Sequence, residues 1–130
     1  MIDHVKIGPF IYTVSDRVKN LHDHNGDLRI SLWGHIKHSH QQIEIEEDIS
    51  DETRLQVLWH EILHGIIHQR GGPPAETEVM EQIIDAISYG LIEAIRDNPQ
   101  LIDVTVNKTK DNPFTDMFLV NGAKPVGIES

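Results

Sequence analysis

The 130-residue sequence predicts an α+β domain in which a small antiparallel β-sheet packs on two helices. Two observations carry that expectation. Apolar and polar residues alternate with the period of a strand in the first part of the chain, most clearly in QIEIE at 42–46. From residue 50 onward the period lengthens to that of a helix, in two long runs separated by Gly71, Gly72, Pro73 and Pro74. A chain of this length holds one domain with a modest core, so 1–130 reads as a single domain with 101–130 as a C-terminal extension.

Taken in order, residues 4–14 (HVKIGPFIYTV) mix β-branched and aromatic side chains and read as one strand interrupted at Gly8 and Pro9, where proline implies a sheet edge or a bulge. A polar loop passes through Asn25 and Gly26, and 28–32 (LRISL) reads as a short strand. Residues 34–41 (GHIKHSHQ) offer a further strand and turn leading into 42–46. There Ile43 and Ile45 face inward and Glu44 and Glu46 outward, as on a sheet with one wet face. The first helix starts near Ser50, whose hydroxyl can cap it, with Asp51 and Glu52 placed against the positive end of the helix dipole. It stops at Gly71 and Gly72. The second runs from about 75 to 97 and ends at Asn98 and Pro99. Beyond it, LIDVTV and MFLV read as short strands, and Phe114, Phe118 and Leu119 argue that part of the extension is buried.

Composition narrows the function. The net charge is −10, and Glu44, Glu46, Glu47, Asp48, Asp51 and Glu52 crowd one stretch, which argues against direct binding to the phosphates of a nucleic acid. With no cysteine there is no disulfide framework, and any zinc ligands must be His, Asp or Glu. The opening MIDHVKIGPF lacks a basic segment leading into an apolar run, and no later stretch is apolar enough to cross a bilayer. The expectation is a soluble cytoplasmic protein with no membrane partner.

The most specific feature is His60-Glu61-Ile62-Leu63-His64, an H-E-x-x-H motif inside the helical stretch LQVLWHEILHGIIH. Residues four apart on a helix lie one above the other, so His60 and His64 can offer two imidazole nitrogens to one metal ion. Glu61 then stands where a carboxylate can take a proton from a water held by that metal. Such a short pattern also arises by chance in a chain with nine histidines. The setting argues otherwise: Leu55, Leu58, Trp59, Ile62, Leu63, Ile66 and Ile67 make this helix apolar around most of its circumference. Two histidines and a glutamate buried there are costly unless bonded or ligated.

A catalytic zinc has three protein ligands and a water, so a third ligand must come from elsewhere. On the second helix Val79, Met80, Ile83, Ile84, Ile87, Leu91, Ala94 and Ile95 share a broad apolar face, with Glu81 on its border and Asp85 one turn later. Glu81 is the favoured third ligand, and Asp85 can receive the second N–H of a ligating histidine. Glu78 is the rival ligand, lying further round the polar side. The bland alternative is that all three acids form a solvated helix face, the usual fate of acids on a helix, and the histidine pair upstream favours Glu81 as ligand over it.

H-E-x-x-H on one helix with E-x-x-x-D on a later one resembles the gluzincin branch of zinc metallopeptidases. The stretch 28–100, including HSHQQIEIEEDISDETRLQVLWHEILHGI and EQIIDAISYGL, is similar to the small ImmA/IrrE-like metallopeptidases of phages and prophages. That resemblance implies a minimal zincin-like fold, with His60, His64 and Glu81 as Zn2+ ligands, Glu61 as general base and Asp85 as a partner to a ligating histidine. It also implies a cytoplasmic role often linked to repressor cleavage, although the helix-turn-helix domain that some relatives carry does not fit in this chain.

The expected function is a zinc metallopeptidase that hydrolyses a particular protein or peptide substrate. The alternative is a non-catalytic phage interaction protein with a structural zinc. Tyr12, His35, His38, His40 and Tyr89 are all candidates to assist the oxyanion, and the sequence singles out none of them. QIEIE or its hairpin partner is the natural strand for a substrate to pair with. His68 continues the ladder of His60 and His64, and reads as a helix-end histidine at the negative end of the dipole. Arg70 stands where the metzincin pattern places its third histidine. His22, His24, His35, His38 and His40 read as surface histidines, with a minor metal site conceivable at His38 and His40.

Overall fold

A computed structural model describes residues 2–21, 33–73 and 77–107. The strand expected at 28–32, His22, His24, Ala75 and the extension beyond Asn107 lie outside the described residues. The chain divides into two compact units, Met1–Gly90 and Leu91–Ser130.

In the first unit, β1 (His4–Ile7), β2 (Phe10–Val18), β3 (Gly34–Lys37) and β4 (Gln42–Glu46) form one sheet in the order β1-β2-β4-β3. The α+β class is therefore observed, with a mixed rather than wholly antiparallel sheet. The stretch expected as one interrupted strand is a hairpin, in which Ile7 pairs with Phe10 across a two-residue turn. Gly8 takes φ 58° immediately before Pro9, the glycine-first arrangement that a type II′ turn requires. β4 runs antiparallel to β3 but parallel to β2, pairing Val14 with Ile43. Chain order explains this: β3 is laid down first at the far edge, and the turn at 38–41 returns β4 into the gap beside β2. QIEIE is thus flanked on both sides, and among the described residues β3 is the edge strand next to it.

The inner face of the sheet follows the strand period. Tyr12, Val14, Ile43 and Ile45 are buried and form one core with Ile7 and with Val57 and Leu58 of α1 (Asp51–Gln69). Ile43 and Ile45 face inward as the alternation requires. Glu46, expected outward, is buried instead: its carboxylate accepts from the backbone N–H of Leu21 at 2.6 Å and of Asp48 at 3.2 Å. Two amides brought together by the fold outweigh the solvation of one carboxylate.

Helix α1 begins as its sequence dictates, with Ser50 Oγ accepting from Thr53 N at 3.2 Å and Asp51 and Glu52 in the first turn. It ends at Arg70, followed by Gly71 at φ 72°. Arg54 locks this helix start to the sheet. Its guanidinium is buried and donates to the carbonyls of Asp16 (3.3 Å), Glu47 (2.8 Å) and Ile49 (3.2 Å). The further contact with Asp51 at 3.5 Å contributes little, because that carboxylate is almost fully exposed.

The sequence predicts two helices, and three are present among the described residues. α2 spans Glu78–Asp97, with Glu78–Gly90 in the first unit. Within that part Ile84 and Ser88 are buried, whereas Val79, Ile83 and Ile87 are exposed. In the second unit, LIDVTV forms α3 (Gln100–Val106) rather than a strand. Pro99 sits in the helical region at φ −59° and ψ −24°, and Leu101 N bonds to Asn98 O at 2.9 Å. A proline preset for a helix start overrides the weak strand preference of Val104, Thr105 and Val106. Among the described residues no helix is long and apolar enough to cross a membrane.

Replacing Arg54 by Lys keeps the charge but removes the planar fork that reaches three carbonyls, and an expected loss of about 2 kcal/mol follows. Chemical denaturation of Arg54→Lys against the parent protein checks this, and an unchanged midpoint would contradict the role given to Arg54.

Candidate metal centre

His60 and His64 are placed by the helical repeat of α1 and approach to 3.1 Å between their Nε2 atoms. From α2, Glu81 closes the triangle, with Oε1 3.0 Å from His60 Nε2 and Oε2 3.0 Å from His64 Nε2. The three side chains are partly buried, and their ligating atoms all lie within 4.8 Å of one another. Zinc–nitrogen bonds of about 2.0–2.1 Å at a tetrahedral angle set ligand atoms about 3.3 Å apart. The observed separations are close to that value, and two imidazoles with a carboxylate form a donor set that suits Zn2+. The residues fit the ion.

Asp85, one turn beyond Glu81, accepts from His60 Nδ1 at 2.8 Å. A carboxylate here can only accept, so His60 carries its proton on Nδ1 toward Asp85, and Nε2 faces His64 and Glu81. Two residues that the sequence reading passed over complete this corner. Gln56 Nε2 lies 3.1 Å from Asp85 Oδ1 and 2.8 Å from Ser88 Oγ, and both Gln56 and Ser88 are buried. Their signal was spacing: Gln56 stands one turn before His60, and Ser88 three residues after Asp85.

Glu61 lies beside this cluster, 7% exposed. Its carboxyl is pushed up to about 8, first by burial and then by the negative charges of Glu81 and Asp85. The strand next to it makes room. A Cβ at Gly34 of β3 would collide with Val57 Cγ1 and stand 3.0 Å from Glu61 Oε2. The edge strand β3 therefore approaches the Glu61 carboxyl where it carries no side chain.

The remaining sequence candidates are distributed elsewhere. Glu78 is exposed and outside the His60, His64 and Glu81 group. Tyr89 is exposed on α2. Tyr12 is in the core, with its hydroxyl 3.4 Å from Gln69 Nε2. His38 stacks face to face on His68, with ring centroids 3.9 Å apart, and His40 Nδ1 is 2.9 Å from Ser39 Oγ. His68 thus ends α1 packed on another ring, and His35 is exposed on β3. A surface pocket of about 360 Å³ between Phe10, Tyr12, His38 and His68 includes none of the residues of the metal group. No family model, curated protein or solved structure matches the chain.

Glu61 yields a pH prediction for the metal-free protein. A folded-state pKa near 8 against an ordinary value of 4.5 means that the protonated carboxyl is favoured in the fold. Its contribution is complete below about pH 4.5 and is lost as pH rises toward about 8, with a slope of up to about 1.4 kcal/mol per pH unit. Chelator-treated protein is expected to lose Tm between pH 5 and pH 8, and Glu61→Gln to flatten that decline. Parallel curves for the two proteins would refute the assignment.

Proposed function

We propose that this chain is a zinc-dependent metallopeptidase that hydrolyses peptide bonds of a specific protein partner. The observation that carries the reading is the convergence of His60, His64 and Glu81 with a buried glutamate, Glu61, directly beside them. The helix–helix pattern that resembles gluzincins supports it, as does the fit of the donor set. A zinc ion held by His60, His64 and Glu81 supplies an acidified water and a Lewis acid for the carbonyl oxygen. The residues of the chain do the rest. Glu61 accepts a proton as water adds to the peptide carbonyl carbon, and delivers it to the amide nitrogen as the C–N bond breaks. His60 is held in one tautomer by Asp85. The substrate pairs with β3, the edge strand among the described residues that passes Glu61 at Gly34.

One short edge offers few subsites, so affinity comes from the partner's own surface and unrelated proteins are poor substrates. A cysteine-free, acidic chain suits a cytoplasmic partner, and resemblance to phage and prophage proteins suits a repressor-like one.

Protein purified without chelator or nickel resin is expected to carry about one zinc per chain by elemental analysis. His60→Ala/His64→Ala should abolish binding and Glu81→Ala should weaken it, whereas Glu61→Gln should keep zinc and lose hydrolysis. Absence of stoichiometric zinc would overturn the reading. Zinc retained by Glu81→Ala but lost by Glu78→Ala would move the third ligand to Glu78.

Generic activity is expected to be weak, with little turnover of casein and cleavage confined to a particular partner. Robust zinc-dependent degradation of unrelated unfolded proteins would contradict this. Zinc held without cleavage of any candidate, and capped by a fourth protein ligand, would favour the structural-zinc interaction protein instead.

A further inference from the structure

Asp85 poses a problem of order. Its side chain is 56% exposed on α2, where an aspartate ordinarily samples several rotamers, yet one oxygen must stay 2.8 Å from His60 Nδ1. Solvent cannot select that rotamer. A buried donor fixed on the facing helix can, and Gln56 is in that position, one turn before His60 on α1.

The hydrogen-bond polarities around Gln56 leave no freedom. The Asp85 carboxylate only accepts, so the Gln56 amide must present its nitrogen, not its oxygen. Ser88 Oγ donates its single proton to the Asp85 backbone carbonyl at 2.8 Å, so toward Gln56 it can only accept. Both N–H groups of the Gln56 amide are therefore assigned, one to Asp85 Oδ1 at 3.1 Å and one to Ser88 Oγ at 2.8 Å. The same Asp85 oxygen then receives Gln56 and His60 together.

We propose that Gln56 is a positioning residue of the metal centre: its amide fixes the Asp85 rotamer and so aims His60 Nε2 at the metal position. Glutamine suits this place because it is neutral and offers two donors from one atom. A glutamate would repel Asp85, and an apolar side chain would leave Asp85 to solvent. Ser88, fully buried, sets the direction of the second donor. The inference rests on the zinc reading for its effect on affinity, but not for the geometry of His60 and Asp85.

The test compares parent, Gln56→Met and Gln56→Glu proteins by two measurements. The first is the nitrogen-15-resolved NMR resonance of His60 Nδ1–H in zinc-free protein, where a proton held against Asp85 exchanges slowly. The second is zinc affinity by competition with a chromophoric chelator. Gln56→Met fills the same space without donors, and Gln56→Glu keeps both length and shape. Both are expected to lose the slowly exchanging resonance and to bind zinc about 10–100-fold more weakly, as for other partners of ligating histidines. Combining Gln56→Met with Asp85→Ala should add nothing beyond Asp85→Ala alone, because Gln56 acts only through Asp85. A resonance that persists in both variants would overturn the proposal whether or not the protein binds zinc, as would additive effects on affinity. Failure of the parent protein to bind zinc would overturn the zinc reading, while the resonance comparison still decides the role of Gln56.

Discussion

The contact between α1 and α2 is governed by charge. Glu61, Glu81 and Asp85 bring three carboxyl groups around two imidazoles in a partly buried space. Carboxylates so close cannot all remain ionised without compensating positive charge. Either a proton stays on Glu61, which is the sense of its upward pKa shift, or a cation takes that role. The approach of Glu81 to both imidazoles and of Asp85 to His60 belongs to the same balance.

The same constraint explains the face that α2 turns to α1. Its apolar pattern would favour burying Val79, Ile83 and Ile87, but these are exposed, while Glu81, Asp85 and Ser88 meet α1. Burying three aliphatic side chains would gain about 1.5–3 kcal/mol each, a sum that the helix forgoes. Rotating α2 to obtain it would take Glu81 away from His60 and His64 and Asp85 away from the buried Gln56, at a cost of about 1–3 kcal/mol for each buried polar group left unsatisfied. Polar satisfaction at the centre thus competes on equal terms with the hydrophobic stripe.

Much of this was legible from local sequence. The Ser50 cap, the span of α1, the inward faces of Ile43 and Ile45 and the register that brings Glu81 and Asp85 to His60 are all matters of helix or strand period. What escaped depends on partners distant along the chain. The parallel pairing of β2 with β4 follows from the order in which the edge is filled, which no periodicity encodes. Glu46 reads as outward until the fold brings Leu21 N to its carboxylate. Gln56 and Ser88 are ordinary polar residues in sequence, and only the meeting of α1 with α2 makes them a pair. At 101–106 the reason is the opposite: Val104, Thr105 and Val106 read locally as strand, whereas Pro99, legible as the stop of α2, also presets the start of α3.

X-ray absorption at the zinc edge, on protein loaded with one equivalent of the ion, tests the central claim most directly. The expected spectrum is a first shell of nitrogen and oxygen atoms at about 2.0–2.1 Å, with outer-shell scattering from two imidazole rings. One carboxylate and one exchangeable light atom complete the set. A spectrum requiring three or four imidazoles, or one unchanged when His60 and His64 are replaced, would contradict a centre built from these two histidines and Glu81.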